Sequence, residues 1–568
     1  MFGTTRALVA SALLLVMAGP TGAGGIAGAY LAARQADMLS DYATASRYYT
    51  QALARDPSDP TLLEKAMTAW LGLGDFTRAR TVARGIRAHG LQNPIADMLI
   101  LSEHFANGDH EAVFAGYENG LSAGPLADGL LKAWAHVGTG RMSDAGVAFD
   151  AVATGEGTRN FGLLHKAFAL ALVGDFGGAD QILSGAAHGA LPVTRTGIIA
   201  HAQILSQLGR NADALRLIEQ VFGAQPGDPT ARRLRGALAA GETVPFSLIR
   251  DARGGAAEVF YTIATALRTE ASATYTLFYA RVAADLRPDH VDALLLSAAL
   301  LEELGRFGLA IEVYDRVPRN APSFHIAEMG RAGALEDAGK PDVAIEVLRQ
   351  LAESHAVLPV VHTALGDTLR RESRFAEAAL AYDQAIALYH QPDASHWGAY
   401  YARGITRERT GDWELAEADF RQALSLNPSQ PFVLNYLGYS LVERRERLDE
   451  ALEMIERAVE AEPENGFITD SLGWVLYRLG RYDDAAGYME RAAELEPADP
   501  VISDHLGDTL WAVGRRREAE FQWRRALSFI TGEETEPDPD RINRKLEVGL
   551  DRVLEEEGAD PLKVASEH

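Results

Sequence analysis

The 568-residue chain contains no cysteine. That absence excludes disulfides, thiolate zinc sites, a cysteine nucleophile and a lipid anchor on an N-terminal cysteine, and it leaves the redox compartment undetermined. Basic residues are also in deficit: 54 Lys and Arg face 79 Asp and Glu, a formal net charge of −25. Nucleic acid and anionic membrane surfaces both reward clustered Lys and Arg, so neither is expected as a general partner, although a local basic patch stays open. Proline is sparse and oddly regular in its spacing. The sequence carries no HExxH and no phosphate-cradling glycine loop, which removes two common local signatures of catalysis. With 47% hydrophobic residues and abundant alanine, the chain has what a folded protein needs.

Long apolar runs are missing as well, apart from one near the start. In "MFGTTRALVASALLLVMAGPTGAGG", Arg6 precedes a 12-residue apolar run, Ala7 to Ala18, and small residues follow through Ala23. This is the layout of a secretory signal peptide over 1–23, with cleavage expected after Ala23. An uncleaved anchor or a buried first helix is the alternative, but the run is short of the ~20 residues that span a bilayer. Beyond it every long apolar run is broken by charge or glycine, so no transmembrane segment is expected in the mature chain.

What is present is a period. "GWVLYRLGRYDDAAGYMERAAELEP" begins at Gly473 and "GDTLWAVGRRREAEFQWRRAL" at Gly507, 34 residues on. Upstream units begin at Gly438 and Gly404, and Pro428, Pro463 and Pro497 close successive units, 35 and 34 residues apart. The extra residue falls in the "ERRER" turn, where an insertion is cheapest. Weaker copies carry turn glycines at Gly74, Gly108, Gly140, Gly174, Gly209, Gly305 and Gly339, and closing prolines at Pro57, Pro226, Pro288 and Pro322. Leu472, Gly473, Leu476, Gly480, Tyr482, Ala485, Ala492 and Pro497 in one unit resemble the tetratricopeptide repeat, a helix-turn-helix module of 34 residues. A generic helical bundle has no such period with turn glycine and closing proline in register.

The expected fold class is therefore all-α, a tetratricopeptide solenoid of roughly fourteen repeats. The resemblance implies a right-handed superhelix with a long concave groove. The expected organisation is an N-terminal array over 26–228, an irregular joint at 229–256 around "GETVPFSLIRDARGG", a C-terminal array over 257–532 and an amphipathic capping helix at 539–557. Small residues such as Gly473 and Ala485 let paired helices approach, Gly480 relaxes the turn, and Tyr482 and Met489 are expected to fill the wedge between hairpins.

In this repeat family the first helix of each unit lines the concave face. Applied to the last units, that register makes Asn435, Tyr439, Asp470, Trp474, Tyr477, Arg478, His505, Asp508 and Trp511 the candidate groove-binding residues. Aromatics interleaved with an amide, acids and a base suit an extended peptide or a protein helix. Structural alternatives stand beside each. Trp474 and Trp511 at these positions equally suit packing on the next hairpin, and Asp470 suits an N-cap of a helix starting at "SLGW". Trp413 and Trp523 read as packing residues. His505 and Asp508, three apart, share a helix face but have no third ligand at fixed spacing, so no metal or other cofactor and no enzyme activity are expected.

The stretch Leu434 to Leu527, with "DSLGWVLYRLGRYDDA" and "HLGDTLWAVGR", resembles long bacterial envelope tetratricopeptide proteins. One type is an outer-membrane lipoprotein adaptor for a periplasmic C-terminal processing protease that degrades peptidoglycan hydrolases. This chain departs from that type in lacking a cysteine to acylate. The resemblance implies a non-catalytic scaffold or adaptor in the periplasm, soluble or held at the membrane by a partner. Its partners would be one or more proteins, with a periplasmic protease or cell-wall hydrolase as the implied kind. The rival expectation is a factor that binds peptidoglycan or exported polysaccharide through its aromatic strip.

Overall fold

The computed structural model describes residues 26–224, 227–531, 537–559 and Leu562. The expected leader at 1–23, Pro226 and Gly532 lie outside them. Among the described residues there are 31 α-helices and no strand. They form two compact units, Met1–Ala344 and Ile345–His568. The 229–256 stretch lies inside the first.

The sequence punctuation builds helical hairpins. In the unit formed by helices Pro60–Leu73 and Phe76–Ala88, Asp59 caps the first helix and Pro60 opens it. Gly74 then closes it in the left-handed region at φ 88°, and Asp75 caps the second helix by accepting from the Arg78 N–H. Glycine adopts that conformation without a Cβ clash, and the aspartate satisfies an otherwise unpaired helix-start amide. Asp109 and Asp175 follow Gly108 and Gly174 and cap in the same way. In the "ERRER" turn no glycine is present, and Arg445 and Arg447 take the positive φ themselves, at 54° and 48°.

In the second unit, packing within each hairpin follows one rule. A glycine in the first helix lies under a large side chain of the second: Gly366 under Tyr382, Gly404 under Phe420, Gly438 under Ile455, Gly473 under Met489 and Gly507 under Trp523. Met489 thus fills a gap within its own hairpin.

The first unit closes on itself. Helix Ala252–Leu267 packs on Pro125–Gly138, Pro94–Ala106 and Arg159–Leu172, and helix Ala273–Leu286 packs on Pro60–Leu73 and Pro94–Ala106. Those are first helices of successive hairpins, so the inner face of the array is filled by the chain's own later helices. Gly255 receives the buried Trp134 ring, and both sides share one core. The approach to this plug is an extended segment laid along helix Arg195–Gln207. There Val244 N–H donates to the Ser206 hydroxyl at 2.9 Å, Gln207 donates to the Val244 carbonyl at 2.7 Å, and Gln203 and Ser247 exchange two bonds. The expectation of an open groove along the whole array is corrected here: a segment that read as a joint is an internal ligand.

The glycine rule makes a graded prediction. At Gly473 an added Cβ would lie 2.8 Å from Met489 Cγ, and at Gly507 it would collide with the Trp523 ring. Methionine has rotamers to spare and a buried indole does not. Gly507→Ala should cost about 2–3 kcal/mol and Gly473→Ala about 1 kcal/mol. Chemical denaturation of the two variants measures the difference, and equal costs would contradict it.

Candidate functional site

The inner face of the second unit is built by helices Pro431–Glu443, Gly466–Arg478 and Pro500–Ala512, which pack side by side. Gln430, Asn465 and Asp499 cap these three helices with side-chain acceptors. Asp470 therefore lies in the second turn of its helix, and its reading as an N-cap is corrected: Asn465 holds that place, accepting from the Ile468 N–H at 3.2 Å.

At the centre is a stack of three rings. Trp474 lies between Tyr477, at 4.8 Å and 6° from parallel, and His505, at 4.0 Å and 11°. All three are 8% exposed. The Trp474 indole N–H donates to Glu443 at 2.6 Å, and the Arg478 guanidinium lies 5.6 Å from the Trp474 ring centre. His505 Nδ1 meets both Asp470 oxygens, at 3.0 and 3.2 Å. Burial opposes protonation of His505, but the Asp470 carboxylate outweighs it, with Asp504 and Glu443 assisting, and the pKa is raised. Burial likewise raises the Tyr477 hydroxyl well above its ordinary range.

The C-terminal end of this face is covered. Helix Pro539–Val548 delivers Lys545, fully buried, to Asp504 at 2.9 Å and Asp508 at 2.6 Å. Asp508 also accepts from the Trp523 indole at 2.9 Å, and Arg541 stands 3.6 Å from it. Trp511 donates to Asp551 at 2.9 Å and its ring rests on Gly549, at the start of helix Leu550–Glu556. Asp508 and Trp511 thus serve the cap in this structure.

Asn435, Tyr439 and Arg478 remain half-buried on the open part of the face. Asn435 Oδ1 and Arg478 Nε are buried atoms with no hydrogen-bond partner among the described residues. The structure therefore gathers Asp470, Trp474, Tyr477, Arg478 and His505 into one cluster and assigns Asp508 and Trp511 to another. Sequence reasoning missed Glu443, Asp504 and Lys545. Lys545 had a signal: it falls three residues after Ile542 on the apolar face of its helix, where a lysine needs a buried acid. Among the described residues no helix is long and apolar enough to cross a membrane.

Two measurements test these clusters. The raised pKa of His505 means that the fold binds a proton above its ordinary value of 6.5. The contribution of the Asp470–His505 pair is then complete below about pH 6.5 and is lost as pH rises through the raised value. Unfolding at a series of pH values should show wild-type stability falling across that window and Asp470→Asn flattening the dependence. Lys545→Met should cost about 3–5 kcal/mol by leaving the buried Asp504 carboxylate unpaired and Asp508 with only Trp523 and Arg541. Adding Asp504→Asn to that variant should recover part of the loss, read by denaturation.

Residues 30–91, 199–242, 276–324, 363–431 and 436–500, together just over half of the chain, match the tetratricopeptide repeat. The TPR repeat-containing protein PA4667 of Pseudomonas aeruginosa is 29% identical over 184 residues, 32% of this chain and 30% of that protein. The cell division cycle protein 27 homolog B of Arabidopsis thaliana is 39% identical over 70 residues, 12% of this chain and 9% of that protein. The chain spans less than a third of the length of these curated relatives. Among solved structures, the Cut9–Hcn1 hetero-tetramer of the APC/C aligns with 93% of this chain and 97% of that one, at 13% identity and a TM-score of 0.38. Tetratricopeptide proteins act as protein-interaction scaffolds. By its matched repeats and its paired helices, this chain belongs to the tetratricopeptide-repeat family.

Proposed function

We propose that the second unit is a docking scaffold for an extended protein segment, held across helices Pro431–Glu443 and Gly466–Arg478. One observation carries this reading: Asn435 Oδ1 and Arg478 Nε, an acceptor and a donor on half-buried side chains, lack partners on the same inner face. The large majority of buried polar atoms in native folds are satisfied. Eight residues of helix and one helix spacing separate the two registers, about 15 Å, which an extended peptide covers in four or five residues. A peptide backbone offers both an N–H and a carbonyl over that length. The net charge of −25 favours encounter with basic partners.

The polysaccharide reading loses its main support. A sugar needs an open aromatic face, whereas both faces of Trp474 are taken by Tyr477 and His505, and Trp511 lies against Gly549 and Arg516. The setting we propose is the bacterial periplasm, on the leader pattern of residues 1–23. The role as adaptor for a processing protease or cell-wall hydrolase rests on the resemblance of Leu434 to Leu527.

The test is crosslinking and capture from the envelope fraction with the tagged chain as bait, beside a bait carrying Asn435→Ala and Arg478→Ala. Both substitutions lie at half-buried positions, so thermal unfolding should change little. A partner that is captured by the intact bait and lost at least tenfold with the variant supports the scaffold, and a protease or hydrolase among such partners supports the adaptor role. Equal recovery with both baits removes the groove from consideration.

A further inference from the structure

The last hairpin of the second unit presents an acid that its own repeat does not satisfy. Asp470, three residues before Gly473, is met by His505 from the hairpin that follows, at 3.0 and 3.2 Å. Asp504 holds the same register before Gly507, and the helices that come after its hairpin are the short pair Pro539–Val548 and Leu550–Glu556. Lys545 of that pair meets both Asp504 oxygens at 2.9 Å, with its side chain wholly out of solvent. It does for Asp504 what the next repeat does for Asp470. The end of the array is thus built to take a cation from a helix laid against it.

The helix pair that supplies the cation is tied to itself by its own charges. Arg541 reaches Glu557 and Arg544 reaches Glu556, each at 2.8 Å, so the two helices stay together as one piece. Its buried apolar side chains are Ile542, Leu550 and Val553. Polar ties to the array run from Lys545 to Asp504 and Asp508 and from Trp511 to Asp551. Desolvation of a buried ion cluster offsets much of its attraction, so the attachment rests on a few apolar side chains. The pair also abuts the central ring stack, since the charge of Arg541 is felt at the Tyr477 hydroxyl.

We propose that Asp504, Asp508 and Trp511 are a docking site for an amphipathic helix that carries a lysine on its apolar face. The chain's own helix pair fills the site, and a partner's helix of that chemistry displaces it. Lys545, three residues after Ile542, shows the pattern such a helix needs, and the paired acids select for the cation. This goes beyond the docking of an extended segment at Asn435 and Arg478. Its experiment needs no cellular partner, so either reading can fail alone.

A fluorescein-labelled peptide of residues 537–559 stands in for the partner helix, titrated with the full chain and followed by anisotropy. A tethered helix outcompetes a free copy of itself, so the wild-type chain should bind the peptide weakly. Lys545→Met in the chain loosens the internal helix, and binding should then tighten at least tenfold. Adding Asp504→Asn to that chain, or placing Lys545→Met in the peptide, should weaken it at least tenfold again. Absence of saturable binding, or equal affinity of the wild-type and Lys545→Met chains, overturns the proposal. So does an affinity unchanged by either further substitution. Should the Lys545→Met chain fail to fold, hydrogen exchange of the wild-type chain decides. The amides of Pro539–Val548 should exchange at least tenfold faster than those of Pro500–Ala512, and equal protection overturns the proposal.

Discussion

One close approach governs the second unit: a glycine in each first helix that lies under a large residue of the second. Because the glycine has no side chain, Tyr382, Phe420, Ile455, Met489 and Trp523 reach the backbone of the facing helix. That contact sets the spacing within a hairpin, and the spacing in turn sets which residues of the first helix point inward. Asn435, Asp470 and Asp504 recur at one register, three residues before Gly438, Gly473 and Gly507. The inner face is therefore a consequence of the glycines, and its chemistry is free to vary from unit to unit as amide, acid and acid.

What the chain does with its inner faces differs between the two units. In the first, helices Ala252–Leu267 and Ala273–Leu286 occupy the face and share its apolar core, and an extended segment is held by Gln203, Ser206 and Gln207 through backbone bonds. Polar side chains on an inner helix gripping extended backbone is the recognition mode proposed for the second unit, performed here within the chain. Among the described residues of the second unit, the C-terminal end of the face is covered by the helix that carries Lys545. Asn435 Oδ1 and Arg478 Nε are unpaired on the part left open.

Local order was legible in the sequence because the repeat is written in single residues. Turn glycine, capping aspartate and helix-opening proline each serve a backbone requirement inside one hairpin, so Gly74, Asp75 and Pro60 can be read without tertiary knowledge. The same reasoning placed Gly473 correctly but sent Met489 to the wedge between hairpins, since helical spacing does not say which neighbour a side chain meets. Contacts across the first unit were not legible at all. "GGAA" at 254–257 is a smooth helix face, but only the fold shows that Trp134 is what lies on it. For Trp474, an open ring and a stacked ring are identical in its own repeat. His505, one unit later, closes one face, and Tyr477, three residues on, closes the other.

Charge makes the last connection. The chain is strongly acidic overall, and several of its arginines are paired edge-on with carboxylates, as with Arg374 and Glu377 or Arg541 and Glu557. Such exposed or half-exposed pairs add little stability singly, but they show that an acid is normally within reach. Against that background an arginine without an acid is informative. Arg281 in the first unit and the Arg478 Nε in the second are both buried and unpaired. Desolvation without compensation is unfavourable, and a fold with so many acids had the means to relieve it. Where it has not done so, as at Arg478, the missing acceptor is sought outside the chain, on the peptide face proposed for the second unit.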